Sequence, residues 1–244
     1  MPRTFRDAIR TAVEMKYTHI WIDAFCIIQD DEADLAKELP KMGDIYRYAD
    51  LTIYPAVSES ARSGIFRDRD PLSCRPCTIP IAATIDGMNT TRDVTVAVNH
   101  IGQDHLKSRG WILQEHVLSS RCLVFHERQI SWSCTEGEAH ESQPALQKPR
   151  GLRDRHNFSP AMMRQLLYAQ LEAKPHSRNP QQIALALRTW DMMLEEYSDR
   201  HLSFVADNLS ALSGLAALFH EAYGTTYAAG LWKERLPTWL AWYV

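Results

Sequence analysis

No stretch of this 244-residue chain approaches the run of about 20 apolar residues that crosses a bilayer as a helix. Neither sign of charge dominates. Lys and Arg number 27 against 30 Asp and Glu, a formal net charge of −3, so nothing electrostatic favours nucleic acid or an anionic membrane as partner. Cysteine is sparse: five residues, an odd number without the density of a secreted disulfide scaffold. A reducing compartment is expected, hence the cytoplasm. The opening MPRTFRDAIRTAVEM lacks the apolar segment of a signal peptide. GxSxG, HExxH and phosphate-loop motifs are missing, as are repeats and coiled-coil heptads. His19, His105, His116 and His126 are too scattered for a metal site. The pair Cys74 and Cys77 has no second pair nearby to complete four zinc ligands. No metal is expected.

What the chain does have is one organising stretch, Tyr17 to Asp31, YTHIWIDAFCIIQDD. Ile20, Trp21 and Ile22 read as a short strand buried on both faces, which need not alternate. Asp23 ends it. Open α/β sheets place ligand crevices at the carboxyl ends of their strands. Asp23 therefore either caps the following turn, or serves a ligand or a reaction, or faces a partner. Cys26, between Phe25 and Ile27, reads as a buried, inert thiol.

The flanking elements follow from local signals. A helix from Thr4 to Lys16 carries the stripe Phe5, Ala8, Ile9, Ala12 and Val13, with Thr4 as cap and Asp7 three residues on. A second spans Glu32 to Ala49, its first turn rich in acids, and Pro40 should kink or split it. Leu51–Val57 is the next strand, with Pro55 favouring its end or an edge. Ser58–Pro76 is a loop holding Arg62, Arg67 and Arg69. A hairpin occupies 78–98 with a long turn, DGMNTTR. Ser108–Ser120 is a short helix and Cys122–Cys134 a second hairpin. Residues 136–158 read as a polar loop or linker. Helices then begin near Pro160 and Pro180, and a third, capped by Asp207, stops at Gly224. The terminal run TYAAGLWKERLPTWLAWYV either packs on this helical part or continues into more chain.

Several of these blocks, in this order, resemble the fungal heterokaryon incompatibility (HET) domain family. The matching segments are Thr4–Val57, SGIFRDR at Ser63–Arg69, and RGWILQEHVLSSRCLVFHERQISWSC at Arg109–Cys134. A weaker similarity covers Tyr197–Phe219 and YAAGLW at Tyr227–Trp232. The resemblance implies an α/β fold: a small, partly parallel TIR-like or flavodoxin-like sheet from regions 18–23, 51–57 and 122–134. It carries hairpin insertions and is followed by a helical C-terminal region. It divides the chain into a core over 1–135, the linker over 136–158, and helices over 159–244 packed on the core. The family's usual first strand block, roughly Y-x-A-L-S-Y-x-W-G, does not appear before Thr4. The edge it would vacate is a site for a protein partner or for self-association.

Two functions stay open. The family implies a signalling or interaction domain of fungal non-self recognition and programmed cell death. The more distant likeness to Toll/interleukin-1 receptor (TIR) domains implies an enzyme, an NAD(P) glycohydrolase or a recruited biosynthetic catalyst. In that reading Trp111 precedes a helix carrying Glu115 as the catalytic acid. Glu115 would stabilise an oxocarbenium-like charge, Asp23 would orient a ribose hydroxyl, and Arg109 and Arg67 would meet a pyrophosphate beside Trp111. NAD is the ligand so implied. Otherwise Trp111 is core, and Glu115 caps a helix or pairs with an arginine. Convergence of Glu115, Asp23 and an arginine on one cavity separates the two readings.

Overall fold

Helix α1 (Arg3–Glu14) opens the computed structural model, which describes residues 1–85, 88–96, 102–148, 160–172, 180–202, 204, 207–228 and 230–240. Thr4 is not its cap. The helix starts one residue earlier, and the buried Thr4 hydroxyl donates to the Ser60 carbonyl at 3.0 Å while accepting from the Gly64 amide at 3.0 Å. Asp7 accepts from the Ile65 amide at 2.8 Å. Both side chains therefore clamp the 60–65 loop to the helix instead of closing the helix end.

Residues 18–22 correct an expectation. They run extended, with Ile22 at φ −136° and ψ 121°, yet they pair with no strand. Apolarity supplied the strand preference, but a ladder also needs a neighbour, and among the described residues none pairs with them. Asp23 begins a one-turn helix, α2 (Asp23–Cys26), which lies on the surface. Cys26 is accordingly exposed, not buried.

The next helix divides at Pro40, as expected, into α3 (Glu32–Glu38), a 3-10 turn (Leu39–Lys41) and α4 (Met42–Tyr48). Asp31 caps α3 by accepting from the Ala33 and Asp34 amides at 2.8 and 3.2 Å. Strand β1 (Thr52–Tyr54) follows, then the hairpin β2 (Cys77–Ile85) and β3 (Met88–Val96). Its pairing continues to Ile85↔Met88, so the expected long turn is shorter.

Helix α5 (Gly110–Leu118) leads into strands β4 (Arg121–Phe125) and β5 (Ile130–Cys134). The polar stretch after them supplies β6 (Glu138–His140) and β7 (Gln143–Gln147). The five-stranded sheet runs β1-β4-β5-β6-β7. Only β1 and β4 are parallel, with Ile53 opposite Leu123, and the rest is an antiparallel meander. Residues 149–158 of the expected linker lie outside the described residues.

The C-terminal region holds α6 (Pro160–Glu172), α7 (Pro180–Ser198), α8 (Ser210–Tyr223), the short pair β8 (Tyr227–Ala228) and β9 (Leu231–Trp232), and α9 (Leu236–Trp239). Gly224 at φ 68° ends α8, since a left-handed residue is what that stop requires. The largest core joins this region to α5. It contains Leu113, Val117, Met163, Leu167, Trp190, Leu215, Phe219 and Trp232. Trp190, Phe219 and Trp232 meet as an aromatic trio with centroids 4.7–5.1 Å apart. Part of the tail thus packs on the helical region; residues 241–244 lie outside the described residues.

α5 is buried on nearly every side. Ile112, Leu113, Gln114, Val117 and Leu118 are all covered, against α4, α6 and α8. Gln114 accepts from the Gly214 amide at 2.7 Å. Beside it Gly43 of α4 and Gly214 of α8 touch backbone to backbone. A Cβ on Gly214 would fall 2.8 Å from the Gly43 Cα, so only glycine allows this crossing.

Trp190 is fully buried within the trio. Trp190→Ala is expected to lower the unfolding free energy by about 3–5 kcal/mol, measured by urea titration with circular dichroism.

Candidate functional site

Glu115 lies on the last part of α5, and the helix end is pinned to the sheet. The Ser119 hydroxyl donates to the Glu115 carbonyl at 2.6 Å and shares a 2.6 Å hydrogen bond with the Thr52 hydroxyl of β1. The Glu115 side chain lines a cavity of about 390 Å³. Tyr17–Ile22 line the same cavity, together with Thr52–Tyr54 of β1, Ala8 and Ala12 of α1, and Ile45 and Tyr46 of α4.

Most of that wall is apolar, and this sets the chemistry. Burial pushes the Glu115 carboxyl up to about 7. Opposing this, the Tyr46 hydroxyl hydrogen-bonds the carboxylate. The charge of Asp23 pushes the same way as burial, and that of Arg109 pulls back. Tyr46 is held well above the ordinary phenol range, by burial first and then by the charge of Glu115. Its hydroxyl therefore stays protonated and able to donate. Trp21 stands edge-on to the Tyr46 ring at 5.8 Å. Glu115, Tyr46, Asp23 and Arg109 thus form one electrostatic neighbourhood, in which a single carboxyl is poised to gain or lose a proton near neutrality.

The remaining sequence-predicted residues fall as follows. Asp23 is exposed, and its carboxylate accepts from the Ala24 amide at 2.7 Å, so it holds the α2 turn while its charge acts on Glu115. Arg109 flanks the N-terminus of α5, with its side chain exposed. Trp111 is not brought to the cavity lining. It packs on the helical core and donates from Nε1 to Asp207 at 3.3 Å. That contact also takes Asp207 from its expected place as the cap of α8, which starts at Ser210. Arg67 is likewise elsewhere. Its guanidinium donates to the carbonyls of Val57, Ser63, Gly64 and Phe66 at 3.1–3.2 Å. It lines a separate cavity with Arg69 and Glu141, which form an ion pair.

Tyr46 went unnoticed in the sequence because it occupies an apolar stripe position on its helix. The usable signal was a hydroxyl in that stripe, since a buried tyrosine needs a polar partner. Elsewhere, Cys74 donates to the Arg128 carbonyl at 3.1 Å, and among the described residues no group of three or more His, Cys, Asp or Glu is placed to hold a metal.

Comparison with protein families gives a match. The model described as Heterokaryon incompatibility protein (HET) covers residues 1–115, ending on the glutamate just described. Comparisons with curated proteins and with solved structures give no match.

The raised carboxyl makes a signed prediction. Between about 4.5 and 7 the folded protein keeps a proton on Glu115 that the unfolded chain releases. This group therefore costs stability as pH rises through that window, and the cost is complete above it. Glu115→Gln removes the cost. Urea unfolding of both proteins at pH 5 and pH 8 should show the variant gaining on the parent at the higher pH. A difference independent of pH would mean that Glu115 titrates normally.

Proposed function

Starting from residues 1–115 as a domain of the heterokaryon incompatibility family, we propose that the protein acts in fungal non-self recognition and cell death by hydrolysing a nicotinamide nucleotide at the Glu115 cavity. The observation that carries this reading is Glu115 on an apolar cavity that it lines together with its hydrogen-bond partner Tyr46, with the charges of Asp23 and Arg109, outside the lining, acting on it. A pure interaction surface has no need of a carboxylate kept in such a place.

The chemistry suits these groups. The bond from ribose C1′ to the pyridinium nitrogen breaks, and its electron pair leaves with nicotinamide. The positive charge left on C1′ and the ring oxygen is stabilised by an ionised carboxylate nearby, the role of Glu115. Water then adds to C1′ and releases its proton, giving ADP-ribose. Tyr46 holds the carboxylate through its hydroxyl. Arg109 favours the ionised form of Glu115 and supplies a cation for the pyrophosphate. Asp23 accepts from a ribose hydroxyl. The site works in the cytoplasm on dissolved substrate, and assembly with protein partners controls it.

The test is nicotinamide release from NAD, followed by chromatography. The rate should rise as pH passes through about 7, where Glu115 ionises. Glu115→Gln should reduce it by about 100-fold or more. A folded parent protein that releases no nicotinamide at pH 8, alone and at high concentration, sinks the proposal. Equal rates for parent and variant would do the same.

A further inference from the structure

The charges on the wall of the Glu115 cavity are of one sign. Its lining holds two carboxyls, Glu115 and Asp50, and among the described residues no lysine or arginine. Arg109, the cation that acts on Glu115, lies outside the lining. A phosphate entering this space would meet apolar groups and like charges, and an unpaired buried charge is costly. A cation meets the reverse, and its attraction to a carboxylate grows as water is excluded. At about 390 Å³ the cavity is near the lower end for ligand sites. It has room for one flat ring and its sugar, not for a whole dinucleotide.

The same wall is rich in aromatic rings, and most of them are engaged. Tyr46 is committed to Glu115 through its hydroxyl. Tyr54 donates to Asp104 at 3.0 Å, and its ring lies 4.7 Å from that of His116. Trp21 differs. It lines the cavity and is half-buried. Among the described residues its one ring contact is the approach to Tyr46, with the two planes 79° apart. A neighbour at that angle takes up at most one face of the indole, so a second face has no ring on it. Of the aromatic side chains, tryptophan attracts a cation most strongly, within about 6 Å of the ring centre. Trp21 touches Tyr46 and Tyr46 touches Glu115, so the indole and the carboxyl stand one ring apart.

We propose that Trp21 is the specificity-determining ring of this site: it receives a flat aromatic cation, the pyridinium end of the dinucleotide, against the carboxylates of Glu115 and Asp50, while the phosphates stay outside the cavity, on Arg109. This rests on the reading of the cavity as a nicotinamide-nucleotide site, though on how it binds and not on hydrolysis. The reduced cofactor carries an uncharged dihydropyridine ring and binds more weakly for want of that charge. A nucleotide that offers only a neutral base does the same. The titratable and charged groups facing Glu115 are Tyr46 of α4, Asp23 of α2 and Arg109, with Tyr17, His19, Asp50 and Tyr54 across the cavity. All of them remain in Glu115→Gln, so a pH response lost in that variant belongs to Glu115.

The probe is 1-methylnicotinamide, a cation with no sugar to cleave, beside neutral nicotinamide of nearly the same shape. Binding is measured by calorimetric titration. At pH 8 the parent protein should bind the cation about tenfold or more tighter than the neutral ring, and at pH 5 most of that preference should be gone. Glu115→Gln should show little preference at either pH. Trp21→Ala should weaken the cation about fivefold more than it weakens the neutral ring. Trp21→Phe keeps a smaller aromatic face and should lower the preference by about twofold, which also serves if the alanine variant does not fold. Pyrophosphate should leave the bound cation in place. The proposal is overturned if the parent does not bind the cation or does not prefer it at pH 8. An unchanged preference in Trp21→Phe, or displacement of the cation by pyrophosphate, overturns it too. Selective binding of the cation without release of nicotinamide from NAD ends the enzymatic reading and leaves this one standing. Release of nicotinamide without preference for the cation does the opposite.

Discussion

The burial of α5 is the constraint to which the rest answers. A nine-residue helix with apolar residues all round cannot rest on one face, so it must be enclosed. The sheet covers it on one side, α4, α6 and α8 on others, and Gln114 meets the Gly214 amide where two helices cross. Enclosure fixes the helix, and the fixed helix carries Glu115 into an apolar cavity. The C-terminal core holds that helix through Leu113, Val117 and Leu118, so the place of the carboxyl beside the cavity is set from outside it. The perturbed acid at position 115 is thus a consequence of packing far from the cavity.

A second buried charge shows the same logic. Arg164 of α6 is fully covered and forms no ion pair among the described residues; it donates to the Ser133 hydroxyl at 2.8 Å and to the His116 carbonyl. One guanidinium therefore ties α6 to both α5 and the sheet. Burial lowers His116 to about 3 and, with His140 nearby, His126 to about 4, so these rings stay neutral around it at physiological pH. A neutral imidazole next to Arg164 adds no repulsion.

Local signals made much of the fold readable. Pro40 splits its helix, Gly224 stops α8, and both hairpins lie where alternating and β-branched residues place them. The failures share a cause: they concern partners, not propensities. Ile20–Ile22 are apolar enough for a strand, but pairing depends on a neighbour that local sequence does not reveal. Glu138–His140 and Gln143–Gln147 form strands although their polar residues lack an apolar alternation, because antiparallel pairing onto β5 supplies their partners and β7, at the edge, stays largely exposed. Of the candidate site, Glu115, Asp23 and Arg109 were named through a motif resemblance, and the charges of the last two act on Glu115. Trp111 and Arg67 lie away from Glu115, Trp111 donating to Asp207 far along the chain and Arg67 to four carbonyls of its own loop.

The bare contact between Gly43 and Gly214 bears on how this chain can diverge. A methyl group at either position pushes α4 from α8, and α4 carries the hydroxyl that touches Glu115. Residue 43 lies inside the family-matching segment and residue 214 almost one hundred positions beyond it. The matching segment ends within α5. A substitution at either glycine therefore reaches the Glu115 cavity through one helix crossing, so two distant positions are bound to change together.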